Sequence, residues 1–107
     1  VQVLPVGLTK VFYSDNGSTA VEVALKMAYQ FWRNRGEERK TFVALENAYH
    51  GDTFGAMAAS GESAFTHPFK PLLFNVLRTE TNIESIEKIF RSHSKEIAAI
   101  IVEPILQ

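Results

Sequence analysis

The 107-residue sequence contains no cysteine, so it excludes a disulfide framework, a thiolate nucleophile and a cysteine-based metal site. It also has no excess of either charge: 11 basic and 12 acidic residues give a net charge of -1. Binding to nucleic acid or to an anionic membrane is therefore not expected. No apolar run is long enough to span a bilayer. The absence of cysteine fits a reducing cytosol, and we expect a cytoplasmic protein.

What remains is an ordinary globular composition, 46% hydrophobic and 21% charged, with a length that suits one small domain at most. The sequence starts at Val1 without an initiator methionine or a basic segment, which argues against a signal peptide. The apolar residues 97–106 are followed at once by the terminal Gln107. A buried strand could be the last element of a domain, but a cut through a larger fold explains this ending at least as well, and we expect residues 1–107 to be a fragment of one domain.

Local patterns predict alternating strands and helices. The predicted elements are a strand at residues 9–14, a helix from Thr19 to just before Gly36, a strand at 41–45, a short helix at 53–59, a helix from Asn82 to about Ser94, and a strand at 96–102. Residues 61–74, with two prolines, are predicted to be irregular. Such alternation is typical of an α/β fold with a largely parallel sheet and flanking helices.

Periodicity and capping patterns refine the two long helices. Thr19 and Glu22 match a capping box, in which each side chain satisfies a backbone donor of the first turn. Gly36 is a suitable residue just beyond the helix end. The predicted inner faces comprise Val21, Ala24, Leu25, Ala28, Phe31 and Trp32 in the first helix, and Ile83, Ile86, Ile89 and Phe90 in the second.

Ligands of parallel α/β sheets bind beyond the carboxyl ends of the strands, and three polar segments lie at such positions. The first is the turn at residues 14–19, which includes Gly17 and Ser18 and opens the long helix. Backbone N–H groups and the helix dipole favour an anion there, and glycine allows close approach. An ordinary N-cap explains the same residues, and by itself it is the more economical interpretation.

The other two segments are shorter. Tyr49, His50 and Gly51 follow the strand at 41–45, where the aromatic ring could stack on a flat ligand, or could equally be a core or interface aromatic. Glu103 follows the last strand and precedes Pro104, which ends the pairing. Its carboxylate is well placed for a site, or it is simply the polar end of that strand.

Several other kinds of site are unsupported. His50, His67 and His93 lack the spacing of metal ligands, so no metal site is predicted. The sequence has neither the phosphate-binding motif G-x-x-x-x-G-K-[ST] nor the dinucleotide motif G-x-G-x-x-G. It also lacks the G-x-S-x-G elbow of serine hydrolases.

Taken in order, the three segments resemble the class III aminotransferases, which use pyridoxal 5'-phosphate (PLP). The likeness rests on the runs V-F-Y-S-D-N-G-S-T-A-V-E-V-A-L-K-M-A at residues 11–28, Y-H-G-D-T-F-G-A-M at 49–57 and I-V-E-P at 101–104. It covers most of the chain. Within the class, the first two runs are most similar to the biotin-pathway branch.

The resemblance implies a role for each matching residue. Gly17 and Ser18 would hold the PLP phosphate, Tyr49 would stack on the pyridine ring, His50 and Gly51 would shape that loop, and Glu103 would help to organise the site. Asp52 lies in the motif without an assigned catalytic role. The implied fold is part of the large PLP-binding domain of fold type I, in a protein that forms a homodimer.

The implied reaction moves an amino group from a small-molecule donor to a keto acceptor, S-adenosylmethionine and 8-amino-7-oxononanoate in the biotin-pathway branch. The family's Schiff-base lysine and the aspartate that pairs with the pyridine nitrogen have no counterpart in this sequence, so we assign no catalytic residue and expect the chain alone to be inactive. Two alternatives stay open: another class III transaminase, acting on ornithine, 4-aminobutyrate or a similar ω-amine, and a non-catalytic α/β module.

Overall fold

The computed structural model describes residues 2–105 and contains a three-stranded parallel sheet with helices packed around it. Its elements in chain order are α1 (Gly17–Asn34), β1 (Thr41–Leu45), α2 (Phe54–Ala59), a 3-10 helix (His67–Leu72), β2 (Val76–Thr79), α3 (Ile83–Ser92) and β3 (Ile97–Ile101). The predicted α/β class with a parallel sheet is confirmed.

The sheet has the order β2-β1-β3, so that β1 lies at its centre and pairs in parallel with both neighbours. In the register, Val43 is opposite Leu77 on one side and Ile100 on the other. Val43 and Leu45 are 0% and 2% exposed. All three strands consequently end at one edge of the sheet, and the chain leaves β1 and β3 there.

Helix α1 begins two residues earlier than predicted, and the predicted capping box of Thr19 with Glu22 is wrong. Asn16 is the N-cap: its side chain accepts a hydrogen bond from the Thr19 N–H, and the Thr19 hydroxyl accepts one from the Asn16 N–H. The reciprocal pattern is therefore formed three residues upstream, which leaves the Glu22 carboxylate free for another partner. The helix ends at Asn34, and Gly36 has a φ of +76°, as its predicted position beyond the helix end requires.

One predicted strand is absent, and one observed strand has no counterpart in the prediction. Residues 9–14 form no strand, although they include β-favouring side chains; Phe12 and Tyr13 are exposed and no neighbouring strand pairs with them. Strand β2 was not predicted, because its four residues include Arg78 and follow an irregular segment rich in proline. Part of that segment forms the 3-10 helix instead of remaining irregular throughout.

The hydrophobic core lies between α1 and the sheet. Leu25, Phe42 and Ala98 form its buried centre, and Trp32 packs against them. The indole Nε1 of Trp32 donates a hydrogen bond to the Ala98 carbonyl at 2.7 Å, which fixes the end of α1 to β3. The inner face was predicted correctly for Val21, Leu25, Ala28 and Trp32, but Ala24 and Phe31 are exposed.

Helix α3 is capped as predicted, since the Asn82 side chain accepts a hydrogen bond from the Ser85 N–H at 2.8 Å. Ile86, Ile89 and Phe90 are partly buried. Ile83 is predicted on the same inner face, but it is 74% exposed. Among the helices within residues 2–105, none is long and apolar enough to cross a membrane.

Candidate functional site at the carboxyl edge of the sheet

The three polar segments predicted at strand ends meet at one edge of the sheet. The N-terminus of α1 lies beside the loop that follows β1, and Glu103, two residues after β3, contacts the same loop. A cleft of about 420 Å³ opens between them. Its lining comprises Asn16, Gly17, Ser18, Val21, Tyr49, His50 and Gly51.

The first turn of α1 presents backbone donors that the helix itself does not use. The N–H groups of Thr19 and Ala20 donate to the side chain and carbonyl of Asn16. The N–H groups of Gly17 and Ser18 have no acceptor within residues 2–105. Together with the positive end of the helix dipole, these two groups and the Ser18 hydroxyl form a set of donors suited to an anion.

The loop after β1 lies directly against this turn. The Asp52 N–H donates a hydrogen bond to Ser18 Oγ at 3.2 Å. Gly51 has a φ of +133°, and a Cβ at this position would lie only 2.8 Å from the Ser18 Cβ. Glycine is therefore required at position 51 both for the backbone conformation and for the close approach of the loop to the helix.

Tyr49 places an accessible aromatic ring on the wall of the cleft. Its side chain is 61% exposed, and its hydroxyl donates a hydrogen bond to Asp52 Oδ2 at 3.1 Å. That bond to the carboxylate, aided by desolvation and by the charge of Asp52, raises the pKa of Tyr49, so the phenol stays neutral. The Tyr49 N–H donates to Glu103 Oε2 at 3.4 Å. Glu103 thus holds the loop and does not itself line the cleft.

His50 is held by its backbone, since its N–H donates to the Ser60 hydroxyl at 2.8 Å. The ring atom Nε2 is buried and has no hydrogen-bond partner among the residues that the structure describes. Burial lowers the pKa of His50, with a smaller contribution from the positive charge of Arg78, while Glu103 opposes the shift. The lowered pKa favours the neutral imidazole.

Sequence reasoning missed the role of Glu22. Its carboxylate Oε1 accepts hydrogen bonds from the Thr53 hydroxyl at 2.6 Å and from the Ala56 N–H at 2.8 Å. Glu22 therefore caps α2, a different helix, 31 and 34 residues away. No local spacing predicts such a contact. The only signal in the sequence is that Glu22 follows Ser18 by four residues, which places both side chains on the same face of α1.

A second concavity, of about 430 Å³, lies away from these segments, between the 3-10 helix and β2 beside Arg78. No group of three potential metal-ligating side chains occurs in residues 2–105. Of the described lysines, none lines the cleft at the end of α1.

Comparisons with known proteins place the whole chain in one family. The family model described as aminotransferase class III matches residues 1–107. An adenosylmethionine-8-amino-7-oxononanoate aminotransferase from Geobacter sulfurreducens is 40% identical over 126 aligned positions, which cover 99% of this chain and 28% of that protein. The chain thus spans just over a quarter of the length of this relative.

Solved structures of aminotransferases are also similar to this chain. The crystal structure of an adenosylmethionine-8-amino-7-oxononanoate aminotransferase from Methanocaldococcus jannaschii has a TM-score of 0.85 and 39% identity, covering 92% of this chain and 24% of that one. A PLP-bound amine transaminase from an uncultivated Pseudomonas species has a TM-score of 0.75 and 31% identity, covering 86% of this chain and 26% of that one.

Proposed function

Since this chain belongs to the class III aminotransferase family, we propose that it forms part of the large PLP-binding domain of an enzyme that transfers amino groups with PLP as cofactor. The observation that supports this proposal most directly is the cleft where unused N–H groups of α1 face the Tyr49 loop. This cleft offers an anion site and an aromatic surface side by side, which are the two features that a phosphorylated pyridine needs.

The residues present fit the phosphate end of PLP. The N–H groups of Gly17 and Ser18 and the Ser18 hydroxyl are donors, and a phosphate is an acceptor with a charge that suits a helix N-terminus. A Cβ added at Gly17 would have no atom within 4 Å, so this turn is open to an approaching group. We therefore assign phosphate binding to Gly17 and Ser18.

The loop would hold the pyridine ring. Tyr49 offers its ring face for stacking, and its orientation is fixed at both ends by Asp52 and Glu103. Gly51 lets the loop approach Ser18, and His50 ties it to Ser60. In this assignment Glu103 organises the site through the Tyr49 backbone, and Asp52 orients the Tyr49 hydroxyl.

When bound, PLP supplies an electron sink for the amino-transfer chemistry. The residues of this chain bind and orient it, and none of them is positioned to act as the covalent lysine. Lys40 and Lys70, for example, form surface ion pairs with Glu38 and Glu62. We accordingly expect that the 107-residue chain by itself does not turn over an amino donor.

For the substrates, we propose S-adenosylmethionine as the amino donor and 8-amino-7-oxononanoate as the acceptor, a step of biotin biosynthesis. The support is the name shared by the Geobacter and Methanocaldococcus proteins, which are 40% and 39% identical to this chain. We further propose that the enzyme is a cytoplasmic homodimer.

The experiment is an activity assay of the full-length protein, carried out with and without PLP. Incubation with S-adenosylmethionine and 8-amino-7-oxononanoate should give 7,8-diaminononanoate, detected by mass spectrometry, and omission of PLP should abolish the product. Failure of the full-length protein to bind PLP would refute the cofactor assignment. Amino transfer from ornithine or 4-aminobutyrate, without reaction of S-adenosylmethionine, would keep the cofactor and refute the proposed substrates.

A further inference from the structure

Helix α2 begins without a cap of its own. Its N-cap residue, Thr53, makes no side-chain hydrogen bond to the first turn of the helix. The Thr53 hydroxyl instead donates to Glu22 of α1 at 2.6 Å, and the Ala56 N–H donates to the same carboxylate oxygen at 2.8 Å. One side chain of α1 thus satisfies two donors at the start of α2, where the helix dipole also favours a negative charge.

Glu22 lies four residues after Ser18 and therefore on the same face of α1. Ser18 accepts a hydrogen bond from Asp52, and Glu22 accepts from the next residue, Thr53. The two side chains hold consecutive positions of the loop that begins with Tyr49. The helix that presents the anion-binding N–H groups is thereby joined at two points to the segment that presents the aromatic ring.

Close packing restricts movement where Glu22 contacts the start of α2. Residues Gly55 to Ala59 of α2 are buried, and a Cβ at Gly55 would be 2.6 Å from both carboxylate oxygens of Glu22. At the other end of α2, Ser60 accepts from the His50 N–H and donates to the Ala56 carbonyl. A displacement of the start of α2 would consequently move the whole loop from Tyr49 to Thr53.

We propose that Glu22 is a positioning residue of the cofactor site, which sets the distance between the N-terminus of α1 and the Tyr49 loop by capping α2. This inference rests on the proposed function, because it assigns the cleft to PLP. It goes beyond that function, because Glu22 itself does not line the cleft. A purely structural role would lower stability without changing cofactor binding in a folded protein.

The test compares three variants of the full-length protein. Glu22→Leu removes both accepted hydrogen bonds, whereas Glu22→Gln retains an oxygen that can accept them. Trp32→Phe is the control for a general loss of stability, since it removes the bond from α1 to Ala98 at the far end of the same helix. For each folded variant, the dissociation constant of PLP, the visible circular dichroism of bound PLP and the hydrogen exchange of amides 49–56 are measured.

We expect Glu22→Leu to raise the dissociation constant about tenfold, because the two hydrogen bonds that fix the start of α2 and the Tyr49 loop are lost. The same variant should change the dichroism and accelerate exchange in residues 49–56. We expect Glu22→Gln to stay within about threefold of wild type, because only the charge assistance is lost. Trp32→Phe should lower the melting temperature and leave the dissociation constant and the dichroism unchanged.

Unchanged PLP affinity and dichroism in Glu22→Leu would overturn the inference while leaving the proposed function intact. Equal losses of affinity in Glu22→Leu and Trp32→Phe would overturn it too. If the wild-type protein failed to bind PLP, the proposed function would be refuted, and the exchange of residues 49–56 would still decide whether Glu22 fixes the loop.

Discussion

The hydroxyl of Ser18 accepts a hydrogen bond from the backbone N–H of Asp52 at 3.2 Å, which joins the first turn of α1 to the loop that follows β1. Ser18 Oγ accepts this internal hydrogen bond through a lone pair, so the hydroxyl can still donate its proton to an anion at the helix N-terminus. Ser18 therefore connects the two parts of the candidate PLP site and contributes to both.

Because of this double role, Ser18→Ala should weaken the binding of PLP more than the binding of pyridoxal. The dissociation constant of PLP should rise about tenfold, since one hydrogen bond to the phosphate is lost. Pyridoxal without the phosphate should lose much less affinity, and fluorescence titration of the full-length protein with both compounds measures the difference. Ser92→Ala, at the exposed end of α3, is the control and should bind both compounds normally. Equal losses for the two compounds would contradict a phosphate contact.

The two asparagine caps offer a matched pair of variants. Asn16 caps α1 and Asn82 caps α3, each through a hydrogen bond to the third residue of its helix. Replacement of either by alanine should lower the free energy of unfolding by about 1 kcal/mol. Only Asn16→Ala should also weaken PLP binding, because the N-terminus of α1, and not that of α3, lies at the cleft. Urea denaturation and PLP titration test both statements, and a comparable effect of Asn82→Ala on binding would argue against the site.

Gly51 and Gly36 form a second pair, since both have a positive φ. Gly36→Ala meets open space and should cost about 1 kcal/mol from the left-handed backbone alone. Gly51→Ala adds a clash with Ser18, so it should cost about 3 kcal/mol or more. Thermal unfolding of the full-length variants compares the two costs. Equal destabilisation would show that the loop does not lie against α1 as described.

His50 makes stability depend on pH in a defined direction. Its pKa in the folded protein is below the ordinary value of 6.5, so the unfolded chain binds the proton more readily. This group consequently has no effect on stability above the ordinary value, destabilises the protein as the pH falls through it, and reaches its full effect below the folded pKa. The titration of His50, followed by NMR, should have its midpoint below 6.5.

Variants that remove the charges near His50 test the cause of its lowered pKa. Glu103→Gln should lower the pKa of His50 further, because it removes the negative charge that favours the imidazolium. Arg78→Met should raise it by removing a positive charge. A pKa of His50 at or above the ordinary value in the wild-type protein would contradict its burial.

Elements with a strong local pattern were predictable from the sequence. The apolar strand β1, the helix capped by Asn82 and the glycine beyond α1 all follow from side-chain type and spacing. Residues 9–14 have similar β-favouring side chains but form no strand, because a strand also needs a neighbour to pair with. Conversely, β2 forms despite a weak pattern, because the free edge of β1 supplies its hydrogen bonds.

The candidate site was located by strand ends and by resemblance, and Gly17, Ser18, Tyr49, His50 and Gly51 do lie around one cleft. What the sequence could not provide were the contacts between distant segments. Glu22 has a good local explanation as part of a capping box, yet its carboxylate contacts α2 instead. Only the packing of α1 against α2 decides between the two, and local spacing contains no information about that packing.

The parallel sheet also constrains the order in which the cleft can form during folding. Each pairing of β1 joins strands separated by a long crossover, and the contacts from Ser18 to Asp52 and from Tyr49 to Glu103 span 34 and 54 residues. Such non-local contacts are typical of slow folding. The Tyr49 loop can therefore be held by Glu103 only once the chain beyond β3 has been synthesised, so a shorter nascent chain lacks one of the contacts that fix the wall of the cleft.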